Sequence, residues 1–302
     1  MNEIFDKLLI KILITSFILF IIFSYRYIQK IILNRSRSFA LKSIYPQKNT
    51  SHAIHVASRI LGFAIILSDF SFFLSDGLFM ALFDFFLYSI TLIILYGLSL
   101  YVFESIALYN FSFEDEIYKR KNISFSTITF GLSISSAFIL KKIFFIAQGS
   151  IINLFFLWLF TTVLFGFALK TYNIILSKNL NQIILQKNNY DSISHVGFSW
   201  SWTLLITSAL DIEINSYTRF MTFSIIQIIL SIIIFPIFHN GINKIFFIRK
   251  PMTVKKSVQS TTYITEPDDK SGINDALLFL ATAYLTSLIT SQVHFGSFYP
   301  PL

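Results

Sequence analysis

The chain is expected to fold as an all-α, polytopic membrane protein with about eight transmembrane helices in two parallel four-helix repeats, and three observations lead there. Of its 302 residues, 54% are hydrophobic and 13% charged, against roughly 25% charged in an ordinary soluble domain. Several apolar runs, such as Ile151 to Leu169 and Phe220 to Phe238, approach the ~20 residues that cross a ~30 Å hydrocarbon core as a helix. A short polar motif also recurs ahead of alternate apolar runs.

The first run, Leu8 to Ser24, follows Glu3, Asp6 and Lys7 and leads to no small-residue cleavage site, which reads as a retained helix near 8–32. The second, near 52–74, is the least apolar because it carries His55, Arg59 and Asp69, so a count of seven spans stands as the alternative. Apolar runs between charged breaks place the others near 78–108, 124–145, 149–177, 191–210, 218–243 and 273–292. The 36 phenylalanines suit a lipid-facing helical surface. The absence of cysteine excludes disulfides, thiolate catalysis and thiolate metal sites.

Basic residues orient the chain, because short loops rich in Lys and Arg stay cytoplasmic. All of the 24 except Lys7, Lys11, Arg59, Lys141, Lys142 and Arg219 fall in or beside the four connections that follow odd-numbered helices. Both termini are therefore expected outside the cytoplasm. The net charge of +8 is largely this bias, so no nucleic-acid partner is expected and anionic headgroups at the cytoplasmic face are the expected one. The last such connection, Lys244 to Lys270, also carries Ser257, Ser260, Thr261 and Thr262, a candidate docking or phosphorylation segment.

Glu116-Ile117-Tyr118-Lys119-Arg120-Lys121-Asn122 leads into the fourth helix and Gln182-Ile183-Ile184-Leu185-Gln186-Lys187-Asn188 into the sixth, while Lys48-Asn49 precedes the second and Ser271-Gly272 stands in the equivalent place before the eighth. Aligned on these positions, the fourth following residue is small (Ala53, Ser126, Ser192, Ala276), as is the ninth (Ser58, Gly131, Gly197, Ala281). The thirteenth is Gly62, Ser135 and Ser201, with Leu285 breaking the series. Small residues four apart let helix backbones approach closely in lipid, so the even helices are expected inside, as the shorter members of four hairpins. Each half contains an even number of spans, so residues 1–148 and 149–302 should be parallel four-helix repeats.

With this motif repeated across two halves, residues 8 to 292 resemble the YjfL-like bacterial inner-membrane proteins, a duplicated domain of unknown function. The resemblance implies a multi-pass protein of a bacterial inner membrane and transfers no activity, cofactor or site residue.

Chemistry-bearing residues are few. Arg59 is the most conspicuous, since a guanidinium at mid-membrane costs about 2.5–3.5 kcal/mol unless paired; Glu104, Asp191 and Asp84 are its candidate partners. It serves either as an anion contact or as one half of a structural ion pair. Asp191 and His195 share a helix face four residues apart, suiting a proton relay or, more simply, a capping pair at the helix start. His52 and His55 occupy the corresponding region of the second helix. Trp200 and Trp202 read as core residues with satisfied indole NH groups, and Glu114, Asp115 and Glu116 as a solvated acidic helix start. No Gly-rich phosphate loop, zinc-type His-Glu-x-x-His or serine elbow occurs. The expectation is a non-enzymatic membrane scaffold or partner subunit, with a membrane-protein partner or a second copy of itself, no cofactor and no metal. The alternative is a channel or transporter for a small solute or ion, with the Ser and Thr residues of the even helices lining its path.

Overall fold

A computed structural model describes residues 2–33, 49–68, 77–176, 179–211, 217–245 and 269–291. Within them the chain forms helices α1 (Asn2–Leu33), α2 (Thr50–Leu67), α3 (Leu78–Ala107), α4 (Ile123–Ala147), α5 (Ile151–Leu176), α6 (Leu180–Leu185), α7 (Asn189–Ala209), α8 (Tyr217–Ile245) and α9 (Asp269–Thr290). A π-helical turn, Glu114–Lys119, precedes α4. No strand occurs among the described residues. The basic connection 246–268, with its hydroxyl cluster, lies outside them, as does most of the first connection.

Seven helices, namely α1 to α5, α8 and α9, combine the length and apolarity to cross a membrane. Their outer faces are apolar to an extent water does not tolerate: Ile152, Ile174, Phe79 and Phe145 are each about four-fifths exposed. The protein is thus an all-α polytopic membrane protein. The sixth expected crossing, α7, has 21 residues, about 32 Å of helix, but falls short in apolarity for a physical reason. Its neighbours are helices on all sides, α4, α5, α8 and α9, so Ser192, His195, Ser199, Ser201 and Thr203 are buried among protein atoms and need no lipid-compatible surface.

The even-numbered crossings expected from sequence, α2, α4, α7 and α9, lie in a row: α2 packs on α4, α4 on α7 and α7 on α9. α3, α5 and α8 seat against this row from outside, and α1 leans on α3 and α2 through Phe17 against Phe85 and Phe86 and Tyr25 against Phe63. Small residues set the spacing. A Cβ on Gly131 would meet Val196 of α7 at 3.0 Å. One on Gly197 would overlap the Ala276 backbone of α9, and one on Gly272 would lie 2.7 Å from the Tyr190 carbonyl. Ser58 joins the series from α2, its carbonyl accepting from Ser133 of α4 at 3.3 Å.

The Lys-Asn motif has a backbone meaning. Lys121 and Lys187 take left-handed conformations, φ 48° and 52°, which turn the chain sharply, and the following Asn caps the helix. Asn49, Asn122 and Asn188 each accept from the amide three residues on, at His52, Phe125 and Asp191. The caps are also tied to one another. Asn49 Nδ2 donates to the Ile117 carbonyl at 2.8 Å and Asn122 Nδ2 to the Ile184 carbonyl at 2.8 Å. Two residues after each cap a side chain reaches the next helix of the row: Ser51 to the Asn122 carbonyl and Ser124 to Asn189, both at helix starts, and Tyr190 to Asp275 in the second turn of α9. α9 departs because it is already helical from Asp269, and Gly272 leaves room for Tyr190 where an Asn side chain would collide.

The acidic stretch is only partly solvated, contrary to expectation. Asp115 is exposed and bonded to Ser112 and Lys119, and the Lys119 ammonium holds its carboxyl below the usual range. Glu116, however, is buried and accepts from Arg120 Nη1 at 2.6 Å and from Asn122 Nδ2 at 2.7 Å. Asn122 thus serves the π-helical turn, the start of α4 and the Ile184 carbonyl at once. Asn122→Ala is expected to cost about 1–3 kcal/mol, a lost cap plus stranded buried acceptors. Asn179→Ala, at the exposed cap of α6, should cost under ~1 kcal/mol. Thermal unfolding in detergent measures both, and equal losses would contradict the linking role.

Candidate functional site

α2 turns His52, His55 and Arg59 inward, all three buried, because a spacing of three and four residues makes one helical stripe. The stripe starts at the Asn49 cap and reaches Arg59, ten residues or about 15 Å further along the helix. His52 packs on the Tyr118 ring at 5.1 Å between centroids. Neither His52 ring nitrogen nor the Tyr118 hydroxyl finds a hydrogen-bond partner among the described residues. Burial pushes the Tyr118 phenol up to about 12, so it is protonated at neutral pH. His55 lies edge-on to Phe113 at 4.3 Å, with Nδ1 3.5 Å from Thr129 Oγ1.

At the deep end, Arg59 joins three helices. Its Nη2 pairs with the Glu104 carboxylate of α3, and its Nη1 donates to Ser133 Oγ of α4 at 3.3 Å. Tyr96 of α3 shares a hydrogen bond of 2.6 Å with the same Ser133 oxygen. Ser133 gives its one proton to the Ser58 carbonyl, so the Tyr96 hydroxyl is the donor and the serine oxygen accepts from both Tyr96 and Arg59. Gly62 is what admits Tyr96, since the tyrosine hydroxyl occupies the space a Cβ would take. Burial is uneven across the ion pair: the Arg59 side chain is 6% exposed and that of Glu104 26%. The carboxylate therefore lies nearer the edge of the cluster, while the guanidinium sits enclosed.

The residues singled out from sequence are thus divided. Arg59 and Glu104 meet, whereas Asp84 is exposed on α3 and takes no part. Asp191 accepts from the capping Asn188 Nδ2 at 2.8 Å and stays at the first turn of α7. His195, one turn deeper, is fully buried with Nδ1 3.4 Å from Ser199 Oγ and its ring against Tyr172 at 4.7 Å. Asp191 and His195 share a face without bonding, and α4 stands between them and α2. No group of three or more His, Asp or Glu is arranged to hold a metal among the described residues.

Most hydroxyls on the even helices are committed to backbone. Ser136, Ser201 and Thr203 donate to carbonyls four residues earlier, and Thr129 to one three residues earlier. The indole groups of Trp200 and Trp202 depart from expectation, because neither NH has a partner among the described residues; only Trp158 donates, to Ser99 at 2.7 Å. Two buried features escaped sequence reading: the Tyr96–Ser133 pair, signalled only by Gly62, and Glu116, which looked like one of three surface acids.

Residues 4–144 match a family described as Domain of Unknown Function (DUF350), a stretch that runs from α1 through most of α4. The chain matches no curated protein and no solved structure.

Proposed function

We propose that the protein is a non-enzymatic scaffold or partner subunit of a bacterial inner membrane. In this reading α7 also crosses and brings the spans to eight, residues 1–148 and 149–302 are parallel copies of one four-helix unit, and both termini lie outside the cytoplasm. The asparagine-capped helix starts and the basic connections then share the cytoplasmic face, next to anionic headgroups. Support for the duplication comes from the ladder of caps and from contacts that recur in order: α2 on α4 in the first half, α7 on α9 in the second.

The observation that carries the scaffold reading is the close packing of the row. Gly131 and Gly197 bring neighbouring helices to near backbone contact, and hydroxyls that would line a path bond to carbonyls instead. α2 and α9, at opposite ends, do not close a ring. A second reading, passage of a proton or small ion, draws on the His52–His55–Arg59 stripe ending at the partly exposed Glu104.

Reconstitution into liposomes separates the two. Proton and ion flux should equal that of protein-free vesicles, and the protein should purify in fixed stoichiometry with a membrane partner or with its own copies. Flux above background that disappears in Arg59→Leu would replace scaffolding with transport.

A further inference from the structure

We propose that the outer face of α9 docks on the outer face of α2 of a second copy of this chain, so that the row of inner helices continues from one copy into the next. This contact, which rests on the scaffold reading, makes the partner another copy. A register that repeats at each step inside the chain is left incomplete at both ends of the row. Counted from the cap positions, Asn49, Asn122, Asn188 and the aligned Gly272, the ninth residue faces the next helix. On α4 it is Gly131, against Val196, and on α7 it is Gly197, against Ala276. On α9 it is Ala281, which is exposed. Val196 and Ala276 are the eighth and fourth residues after their own cap positions, and α2 carries Ala57, exposed, and Ala53, half-buried, in those two places.

Direction, polarity and residue size agree. Ala57 stands two residues from both His55 and Arg59, a turn of about 200°, and so points away from α4. Ala281 stands two residues from Phe279, which packs on Phe198 of α7, and so points away from α7. The polar step repeats as well. Ser124, two residues after its cap, donates to Asn189, one residue after the next cap, at 2.9 Å. The matching positions at the two ends of the row are Asn274 of α9 and Thr50 of α2, both exposed. An amide and a hydroxyl can pair as donor and acceptor, and both lie at the level of the caps, the same depth in two copies of one orientation. A lipid-facing surface of this protein looks different: on α5 the exposed residues include Phe155, Leu159 and Phe167. Alanines offer acyl chains little surface and let a second helix backbone come close, which is how packing is gained in a bilayer.

The chain contains no cysteine, so introduced cysteines report the contact without background from native thiols. Two differently tagged full-length copies are co-expressed, one carrying Thr50→Cys and the other Asn274→Cys, and their isolated membranes are oxidised. A disulfide joining the two tags is expected. Pairs that both carry Thr50→Cys, both carry Asn274→Cys, or both carry Ile174→Cys on the exposed face of α5 should cross-link only at the level of random collision. Ala281→Trp should keep the helix content and weaken association by about five-fold or more, read as the concentration dependence of mass in detergent. A mixed disulfide no more abundant than the Ile174→Cys background, like-with-like cross-links in its place, or association untouched by Ala281→Trp would overturn the proposal. Any of these without ion flux would leave the scaffold reading standing with another partner. Flux in liposomes with the mixed disulfide formed would instead remove the scaffold reading and keep the contact.

Discussion

Glu104→Gln is expected to destabilise the protein by about 3–5 kcal/mol, the cost of leaving a buried charge without its partner. The reason lies in the uneven burial of the pair. Arg59 is enclosed by α2, α3 and α4 and cannot shed its proton, so removal of the carboxylate strands a cation. Arg59→Met is expected to cost less, about 1–3 kcal/mol, because Glu104 is 26% exposed and can be hydrated. The double variant should recover most of the loss, since two neutral side chains of similar shape replace the pair. Unfolding of the three variants in detergent, with their accumulation in membranes, reads this directly. Equal single-variant losses, or a double variant no better than Glu104→Gln, would mean that packing and not charge holds Arg59 in place.

Gly197→Val should be the most damaging substitution at a small residue. Its side chain would have to enter the space held by the Ala276 backbone, and the neighbour is main chain that cannot swing aside. Overpacking of this kind costs about 1–3 kcal/mol for a well-packed core, and more when a helix must shift. Even Gly197→Ala should destabilise, because the collision outweighs the gain of about 1 kcal/mol in helix propensity. Gly97→Ala provides the contrast, since nothing lies within 4 Å of its added Cβ; it should be neutral or stabilising by up to ~1 kcal/mol. Thermal melts of the three proteins test the ranking. A Gly197→Ala protein as stable as Gly97→Ala would show that α7 and α9 are not held at their close spacing.

Why some of this was legible in the sequence and some was not follows from the range of the forces involved. Apolar runs and the scarcity of charge register over a whole segment, so helix bounds near 78–108 and 149–177 agree closely with Leu78–Ala107 and Ile151–Leu176. The Lys-Asn repeat stood out as a pattern, but its content, a left-handed residue followed by a cap, depends on backbone angles that no periodicity encodes. Arg59 announced itself by its cost in lipid, yet choosing Glu104 over Asp84 or Asp191 requires the rotation of α3 about its axis. Asp191 and His195 looked paired because a helix places residues four apart on one face. The capping Asn188 takes the carboxylate first, because its amide lies at the same turn. Glu116 defeated local reading most fully: a π-helical turn rotates it under Arg120 and Asn122 while Asp115, beside it in sequence, stays in water.

The row of α2, α4, α7 and α9 also has a direction. Each inner helix offers one surface to its predecessor and a different one to its successor: Gly131 faces forward from α4 to α7, while Ser133 faces back to α2. Such a row is polar in the sense that a staircase is, with unlike surfaces exposed at its first and last members. Copies that joined by extending it would meet head to tail, α9 against α2, and head-to-tail contacts generate rings when the rotation closes and filaments when it does not. A twofold dimer would instead pair like with like, α2 on α2, α9 on α9 or an outer helix on its own copy.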